Sequence, residues 1–348
     1  MSRPHTLVVP SPRLGPSLLQ LGALRALADA GGSTSVLATE AQMAVLDPTL
    51  LQWRLAHHSP ESLALPISLE RSSTTASVLR RYGFDEAVFL TGSGSKAVAA
   101  AARAGIPVRR GVGGWAAWRL THKAAPAPDG HASRRDEPLL ATMGLPLRPG
   151  PLFVPSTWHR TGLERLQAAK LRPHEEPLIG IYIGEFGHAR TGKLQRRLWP
   201  TERFEDLIGR LRRGDGRRRI VILGSDDDLW QTVLLHERTG KIHPVVGPDL
   251  HLDGLAAVLS HLSLVISADA AFLYLAAAVG TPTLALFHHQ GRHPAADYEP
   301  AVAFSSSEDA ALDGAGYDVI EDDLRTLSVD AVAARCERLL AGSPPNDP

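Results

Sequence analysis

The stretch LVISADAAFLYLAAAVGTPTLALF, Leu264 to Phe287, decides the fold. Leu264 to Ser267 is a short apolar run that reads as a strand. Asp269 is an acceptable helix cap, and Ala270 to Val279 has the composition of a buried helix. Gly280 and Pro282 stop that helix, and Thr283 to Phe287 reads as a second strand. The β-α-β unit carries almost no charge, as expected of a parallel sheet covered on both faces. A ligand is expected where the first strand ends and the helix begins, at Asp269.

The segments upstream repeat this rhythm. PLIGIYIG (Pro177 to Gly184) and RRIVILG (Arg218 to Gly224) read as strands, with HPVVG (His243 to Gly247) as a third. Helices are predicted from Pro200 or Thr201, with Phe204, Leu207, Ile208 and Leu211 on the apolar side, and over Asp226 to His236 and Leu252 to Leu259. The N-terminal part opens in the same way: a strand at His5 to Ser11, a helix at Ser17 to Ala30 and a strand at Ser35 to Thr39. A helix at Thr75 to Tyr82, a strand at Glu86 to Thr91, a helix at Ser95 to Ala104 and a strand at Ile106 to Val112 follow. His122 to Glu137 is a poor core former and reads as an exposed loop. The two tryptophans of GGWAAWR, Trp115 and Trp118, read as packing anchors ahead of an acceptor-facing patch.

Breakers concentrate in GLPLRPGPLFVP, Gly144 to Pro155, so the domain change falls between Leu145 and Pro177. The expected division is 1–160, 161–328, and a helix and tail over 329–348 that could pack back on the N-terminal domain. The fold class is α/β, with two Rossmann-like parallel-sheet domains rather than one eight-unit barrel.

Composition excludes several classes. The 37 basic side chains equal the 37 acidic ones, so no global charge steers the chain to nucleic acid or anionic lipid. Cys336, the single cysteine, rules out an intrachain disulfide and is expected in the core. Prolines 4, 10, 12 and 16 interrupt any signal-peptide core, and no apolar run reaches spanning length, so a cytoplasmic location is expected. PSPRLGPS lacks the dinucleotide fingerprint, and GSGSK, Gly92 to Lys96, lacks Walker spacing. HHQGRH, His288 to His293, reads as a polar loop, since no closed ligand set accompanies it.

WPTERFEDLIGRL, RIVILGSDDD and VISADAAFLYLAAAVGTPTLALF together resemble the bacterial lipopolysaccharide heptosyltransferases, the ADP-heptose glycosyltransferase family. A fainter echo lies in TLVVPSPRLGPSLLQLGALRAL. The resemblance implies a GT-B fold with the acceptor on the N-terminal domain, the sugar nucleotide on the C-terminal domain, and reaction in the cleft they face. It implies inverting transfer from a nucleotide diphosphate sugar, ADP-linked as in the family's own donor, with no metal or other cofactor required. The partners it implies are the nucleotide sugar and a carbohydrate or glycolipid acceptor, with peripheral contact at the inner face of the membrane left open.

The family's motifs carry over unevenly. Its Gly-Asp turn, whose aspartate is the proposed base, is Gly15-Pro16 here, and proline cannot accept a proton. Glu185, at the end of the first strand of the second domain, is the weak replacement candidate. The Asp-Ser/Thr-Gly-x-x-His pattern becomes Asp269, Ala270, Ala271 and, in the histidine's place, Tyr274. Lys-x-Trp-Pro becomes Arg197-Leu198-Trp199-Pro200 and keeps a cation. Arg197, Ala270, Ala271 and Tyr274 are therefore the expected donor-phosphate positions, with Asp269 and Trp199 in support. Arg13 and Gly15 are expected to contact acceptor or phosphate. Two functions follow, a divergent transferase or a GT-B relative that only binds nucleotide or carbohydrate.

Overall fold

The computed structural model describes residues 4–30, 33–39, 42–46, 72–113, 117–127, 131–148, 150–183, 199–225, 229–268, 271–288 and 317–342. Contacts divide the chain into two compact units, 1–153 and 154–348. Each is built on a parallel sheet.

In the first unit the strands are β1 (His5–Val9), β2 (Ser33–Val36), β3 (Glu86–Phe89), β4 (Val108–Val112) and β5 (His122–Ala124). They pair in the order β2-β1-β3-β4-β5. Leu7, Val9, Ala87 and Phe89 bury one side chain each from the two central strands, against Val98 and Ala101 of the helix Ser95–Ala104. That helix matches its expected bounds and ends on Gly105, whose φ of +83° only glycine adopts without strain.

Two expectations for this unit are corrected. The helix predicted over Ser17 to Ala30 is two helices, α1 (Leu14–Leu19) and α2 (Leu21–Asp29), broken at Gln20. The Gln20 side chain is drawn into a buried hydrogen-bond cluster, described below. His122 to Glu137 is not simply an exposed loop: β5 pairs with β4, and His131, Ser133 and Asp136 are buried. Their burial depends on hydrogen bonds rather than apolar surface, so a hydrophobicity pattern does not register it.

The second unit has β6 (Leu178–Tyr182), β7 (Arg219–Leu223), β8 (Val245–Val246), β9 (Leu264–Ala268), β10 (Thr283–His288) and β11 (Tyr317–Asp322). The order is β11-β10-β9-β6-β7-β8, every pair parallel. Counted within the unit this is 3-2-1-4-5-6 read from the other edge, the doubly wound dinucleotide-fold order. The helix Thr201–Gly214 buries Phe204, Leu207, Ile208 and Leu211, the four positions its periodicity selects. Helix Val329–Gly342 packs on this same unit, where Val332, Cys336 and Leu339 enter the core. Arg218 joins it through a bidentate pair with Glu337 at 2.6 and 2.7 Å. The helix therefore completes the second unit, where the sequence reading left a return to the first one open. Burial pushes the Cys336 thiol up, so it is inert at neutral pH.

Helices Ser156–Ala168 and Leu252–Leu259 pack closely, and Gly162 sets the distance between them. A Cβ at Gly162 would stand 2.3 Å from the carbonyl oxygen of Ala257, a backbone atom with no rotamer to yield. Gly162→Ala is therefore expected to lower stability by about 2 kcal/mol through overpacking, outweighing the roughly 1 kcal/mol that alanine gains in helix propensity. A urea midpoint equal to or above wild type would show that the helices separate freely.

His243 precedes β8 and is buried. Burial, with the nearby positive charges of Arg212 and Arg219, lowers its pKa to about 4. The unfolded chain binds the proton first, so stability is complete above the unfolded value and is lost as pH falls through about 6.5 toward about 4. His243→Asn should remove about 2 kcal/mol of that acid-dependent loss, read from urea unfolding at about pH 7 and about pH 4.5. Parallel acid limbs in both proteins would remove His243 from the account.

Candidate functional site

In open parallel sheets ligands bind beyond the C-terminal strand ends, at the point where the strand order reverses. Each unit has one such point, between β1 and β3 in the first and between β6 and β9 in the second.

At the first, β1 runs into Pro10-Ser11-Pro12-Arg13 and β3 into Leu90-Thr91-Gly92. A buried cluster ties these two turns together. Gln20 accepts from the Ser11 N–H at 2.8 Å and donates to the Thr91 carbonyl at 2.8 Å and to Asp136 Oδ2 at 2.9 Å. Asp136 Oδ1 accepts from Thr91 N–H at 2.6 Å and from its hydroxyl at 2.7 Å. Gln42 donates to the Ser11 carbonyl at 2.6 Å, bringing in the segment after β2. Asp136 is 1% exposed. Burial pushes its carboxyl above the ordinary range, and the hydrogen bonds from Thr91 and Gln20 pull the other way.

Arg13 is exposed and precedes α1, where its carbonyl accepts from Ser17 N–H at 3.0 Å. Gly15 is buried and Pro16 exposed in the first turn of α1. Beside this point, Gly92 to Ser95, Gly111 to Gly113, Ala117 and Leu120 line a cavity of about 240 Å³. Gly92 and Gly94 turn the chain at φ of +83° and +89°, as the turn reading of GSGSK expects. Trp118 is 72% exposed with the Arg119 guanidinium 4.1 Å from its ring centroid, so it is not the packing anchor expected of it. Trp115 lies outside the described residues.

At the second point, β6 ends in Tyr182, whose ring stacks on Phe272 with centroids 4.2 Å apart. Phe272 stands in the first turn of the helix Ala271–Ala278, so the stack fixes the helix start over the end of β6. Ala271 opens this helix and is partly exposed, while Tyr274, one turn in, is buried. Trp199 is buried; its indole N–H donates to the Leu327 carbonyl at 3.0 Å and its ring meets Phe204 edge-on at 4.8 Å. Arg203 donates to the same carbonyl. Trp199 thus anchors the chain that follows Arg197 to the core. Glu185, Arg197, Asp269 and Ala270 lie outside the described residues, as does His289 to His293.

The sequence reading missed Gln20, Gln42, Thr91 and Asp136. The available signal was Gln20 itself, the one polar side chain in SLLQLGAL after Ser17. Among the described residues no cluster of three or more His, Cys, Asp or Glu could hold a metal, and no helix is long and apolar enough to cross a membrane.

Comparison with known proteins gives the fold its relatives. A glycosyl transferase family 9 structure from Veillonella parvula DSM 2008 is 17% identical, with a TM-score of 0.77 and coverage of 98% of each chain. The E. coli ADP-heptose lps heptosyltransferase II is 18% identical, with a TM-score of 0.70 over 98% of this chain and 99% of its own. E. coli heptosyltransferase WaaC with ADP-2-deoxy-2-fluoro heptose is 19% identical, at 0.63 over 95% and 98%. Among curated proteins no sequence match is found. The two parallel sheets with flanking helices are those of the GT-B glycosyltransferases. Because the family model "Glycosyltransferase family 9 (heptosyltransferase)" matches residues 74–311, most of its length, the chain belongs to that family.

Proposed function

We propose that this chain transfers a sugar, with inversion, from a nucleotide diphosphate sugar to a carbohydrate or glycolipid acceptor. The observation that carries the reading is the second unit's reversal point, where a helix begins beside the ends of β6 and β9 in a chain of the heptosyltransferase family. Free N–H groups at a helix start favour a diphosphate. The amides from Ala270 onward and the Arg197 guanidinium are assigned to it, with Asp269 capping the loop and Trp199 holding the segment behind Arg197. An ADP-linked donor is the one this reading adopts, in line with the ADP-2-deoxy-2-fluoro heptose named with the WaaC relative. Arg13 and the Gly15 turn are assigned to the acceptor side, and the acceptor is met at the inner face of the membrane.

The acceptor oxygen forms a bond to the anomeric carbon as the bond from that carbon to the diphosphate oxygen breaks. The hydroxyl proton goes to a general base and the electron pair leaves on the diphosphate, where Arg197 and the helix amides stabilise it. Asp136 is unsuited to be the base, because Thr91 and Gln20 already occupy its oxygens. Glu185 is assigned that role. A second reading, nucleotide or carbohydrate binding without turnover, is favoured by Pro16 at the family's base position.

The deciding experiment is calorimetry with ADP, GDP, UDP and their sugar conjugates, followed by a transfer assay with the donor that binds. Binding with transfer supports the enzyme. Binding without transfer across a broad acceptor panel supports the second reading, and no nucleotide binding overturns both.

A further inference from the structure

The helix Ser95–Ala104 of the first unit starts without the groups that usually satisfy a helix start. Its N-cap is Gly94, which offers no side chain to the first turn, and that turn holds no acidic residue. Carboxylates are favoured at such a position and cations disfavoured, yet the second residue of this helix is Lys96. The amide N–H groups of Ser95, Lys96 and Ala97 belong to the first turn, so they have no acceptor within the helix. An anion from outside the helix stabilises a start of this kind.

A second observation, independent of the helix, points the same way. The helix opens on the cavity of about 240 Å³ beyond the ends of β3 and β4, which Gly94, Ser95 and Val98 line. Ser93 lines it too and is 5% exposed, and among the described residues its hydroxyl has no hydrogen-bond partner. Buried hydroxyls are ordinarily paired, so an acceptor is due in the cavity. The Ser93 N–H is bonded to the Leu90 carbonyl at 3.0 Å, which holds the turn in place. A Cβ at Gly94 would meet nothing within 4 Å, so the cavity is open on that side. A water occupies about 30 Å³, so the cavity has room for a phosphate or for a carboxylate with the carbon that bears it.

Charge decides what fits. Phe89, Leu90, Val112 and Leu120 give the cavity apolar walls, where the attraction between the helix start and an anion is stronger than in water. Among the described residues no carboxylate lines it. Asp136 engages Thr91 and Gln20 with its two oxygens and is not part of the wall. We propose that this cavity is an anion subsite, taking one phosphate or carboxylate group through the Ser93 hydroxyl and the first-turn amides of the helix Ser95–Ala104. The proposal rests on the sugar-transfer reading only for the owner of that group. The cavity lies in the unit assigned to the acceptor, so the acceptor carries the phosphate or carboxylate, and a neutral sugar leaves the helix start uncompensated.

The test is an amide NMR titration of the full chain with isotope-labelled glycine, using inorganic phosphate in one arm and acetate in the other. Gly92, Gly94, Gly111 and Gly113 report on the cavity, while the glycines of the second unit report on anything bound there. Saturable shifts at Gly92 and Gly94 are expected: phosphate alone producing them names a phosphorylated acceptor, acetate alone a carboxylated one. Ser95→Asp puts a carboxylate at the helix start, which favours the helix and so should keep or raise the melting temperature. The same variant should weaken the anion more than about tenfold through like charge. Ser93→Ala should weaken it several-fold by removing one donor. The titration needs neither nucleotide nor transfer, so its failure leaves the sugar-transfer reading standing, and a failed nucleotide screen leaves the anion subsite standing. Two results overturn the proposal: no saturable shift at Gly92 or Gly94 in either arm, or shifts that persist at wild-type affinity in both variants.

Discussion

Arg197→Ala is expected to lower kcat for sugar transfer by about 10²- to 10³-fold, the loss that follows removal of one donor aimed at charge developing in a transition state. The negative charge on the leaving diphosphate grows as the anomeric bond breaks. In the mechanism proposed here a guanidinium and a helix start are what meet it. The helix contributes partial charges only, so the single full positive charge in the matched motif carries the larger share. Arg197→Lys keeps the charge but not the two-pronged geometry, and an intermediate rate is expected of it. ADP affinity should fall less than kcat, because the ground-state diphosphate carries less charge on the departing oxygen than the transition state does. Transfer at the wild-type rate by the alanine variant would end this role for Arg197. If the wild-type protein binds nucleotide without turnover, the same variant should weaken that binding alone.

The framework was readable because apolar spacing records burial. Phe204, Leu207, Ile208 and Leu211 mark one side of a helix in the sequence and are its buried side in the structure. Leu264 to Phe287 is uncharged but for Asp269, as a unit covered on both faces must be, and it forms the predicted strand, helix and strand. Elements held by polar contacts were not readable in that way. β11, YDVIED, carries three acidic residues in six, and lies at the sheet edge where Asp318 takes up Arg335 at 2.6 Å. Pattern alone rejects such a strand. The residues expected at the donor site came from motif resemblance, while the first unit's cluster joins Ser11, Gln20, Thr91 and Asp136 across sequence separations of up to 116 residues. No local spacing encodes that meeting.

Asp136→Asn is expected to destabilise the first unit by about 3 kcal/mol, although the two side chains have nearly the same shape. The cause is donor count. Both Asp136 oxygens face donors: the Thr91 N–H and hydroxyl on one, the Gln20 amide on the other. An asparagine must turn its own NH₂ toward one of them. If it faces Gln20, two donors oppose, and Gln20 cannot reverse its amide without losing both the Ser11 N–H and the Thr91 carbonyl. If it faces Thr91, the hydroxyl can rotate to accept but the Thr91 N–H is left buried and unpaired, a cost of about 1–3 kcal/mol for each such group. The loss is not that of a favourable buried charge. With the folded carboxyl raised above its unfolded value, the ionisation contribution is fully present below the unfolded pKa and is lost as pH rises through the folded one. Asp136 therefore stabilises through its acceptor geometry, against the charge burial it brings. Urea unfolding of Asp136→Asn, Gln20→Ala and the double variant should give a coupling energy of about 1–3 kcal/mol, the range for residues in one network. Because the cluster also fixes the Ser11 turn that leads to Arg13, the KM for acceptor should rise in Asp136→Asn while nucleotide affinity holds. Additive single-variant effects, or a loss confined to nucleotide affinity, would show that the cluster does not position the acceptor-side turn.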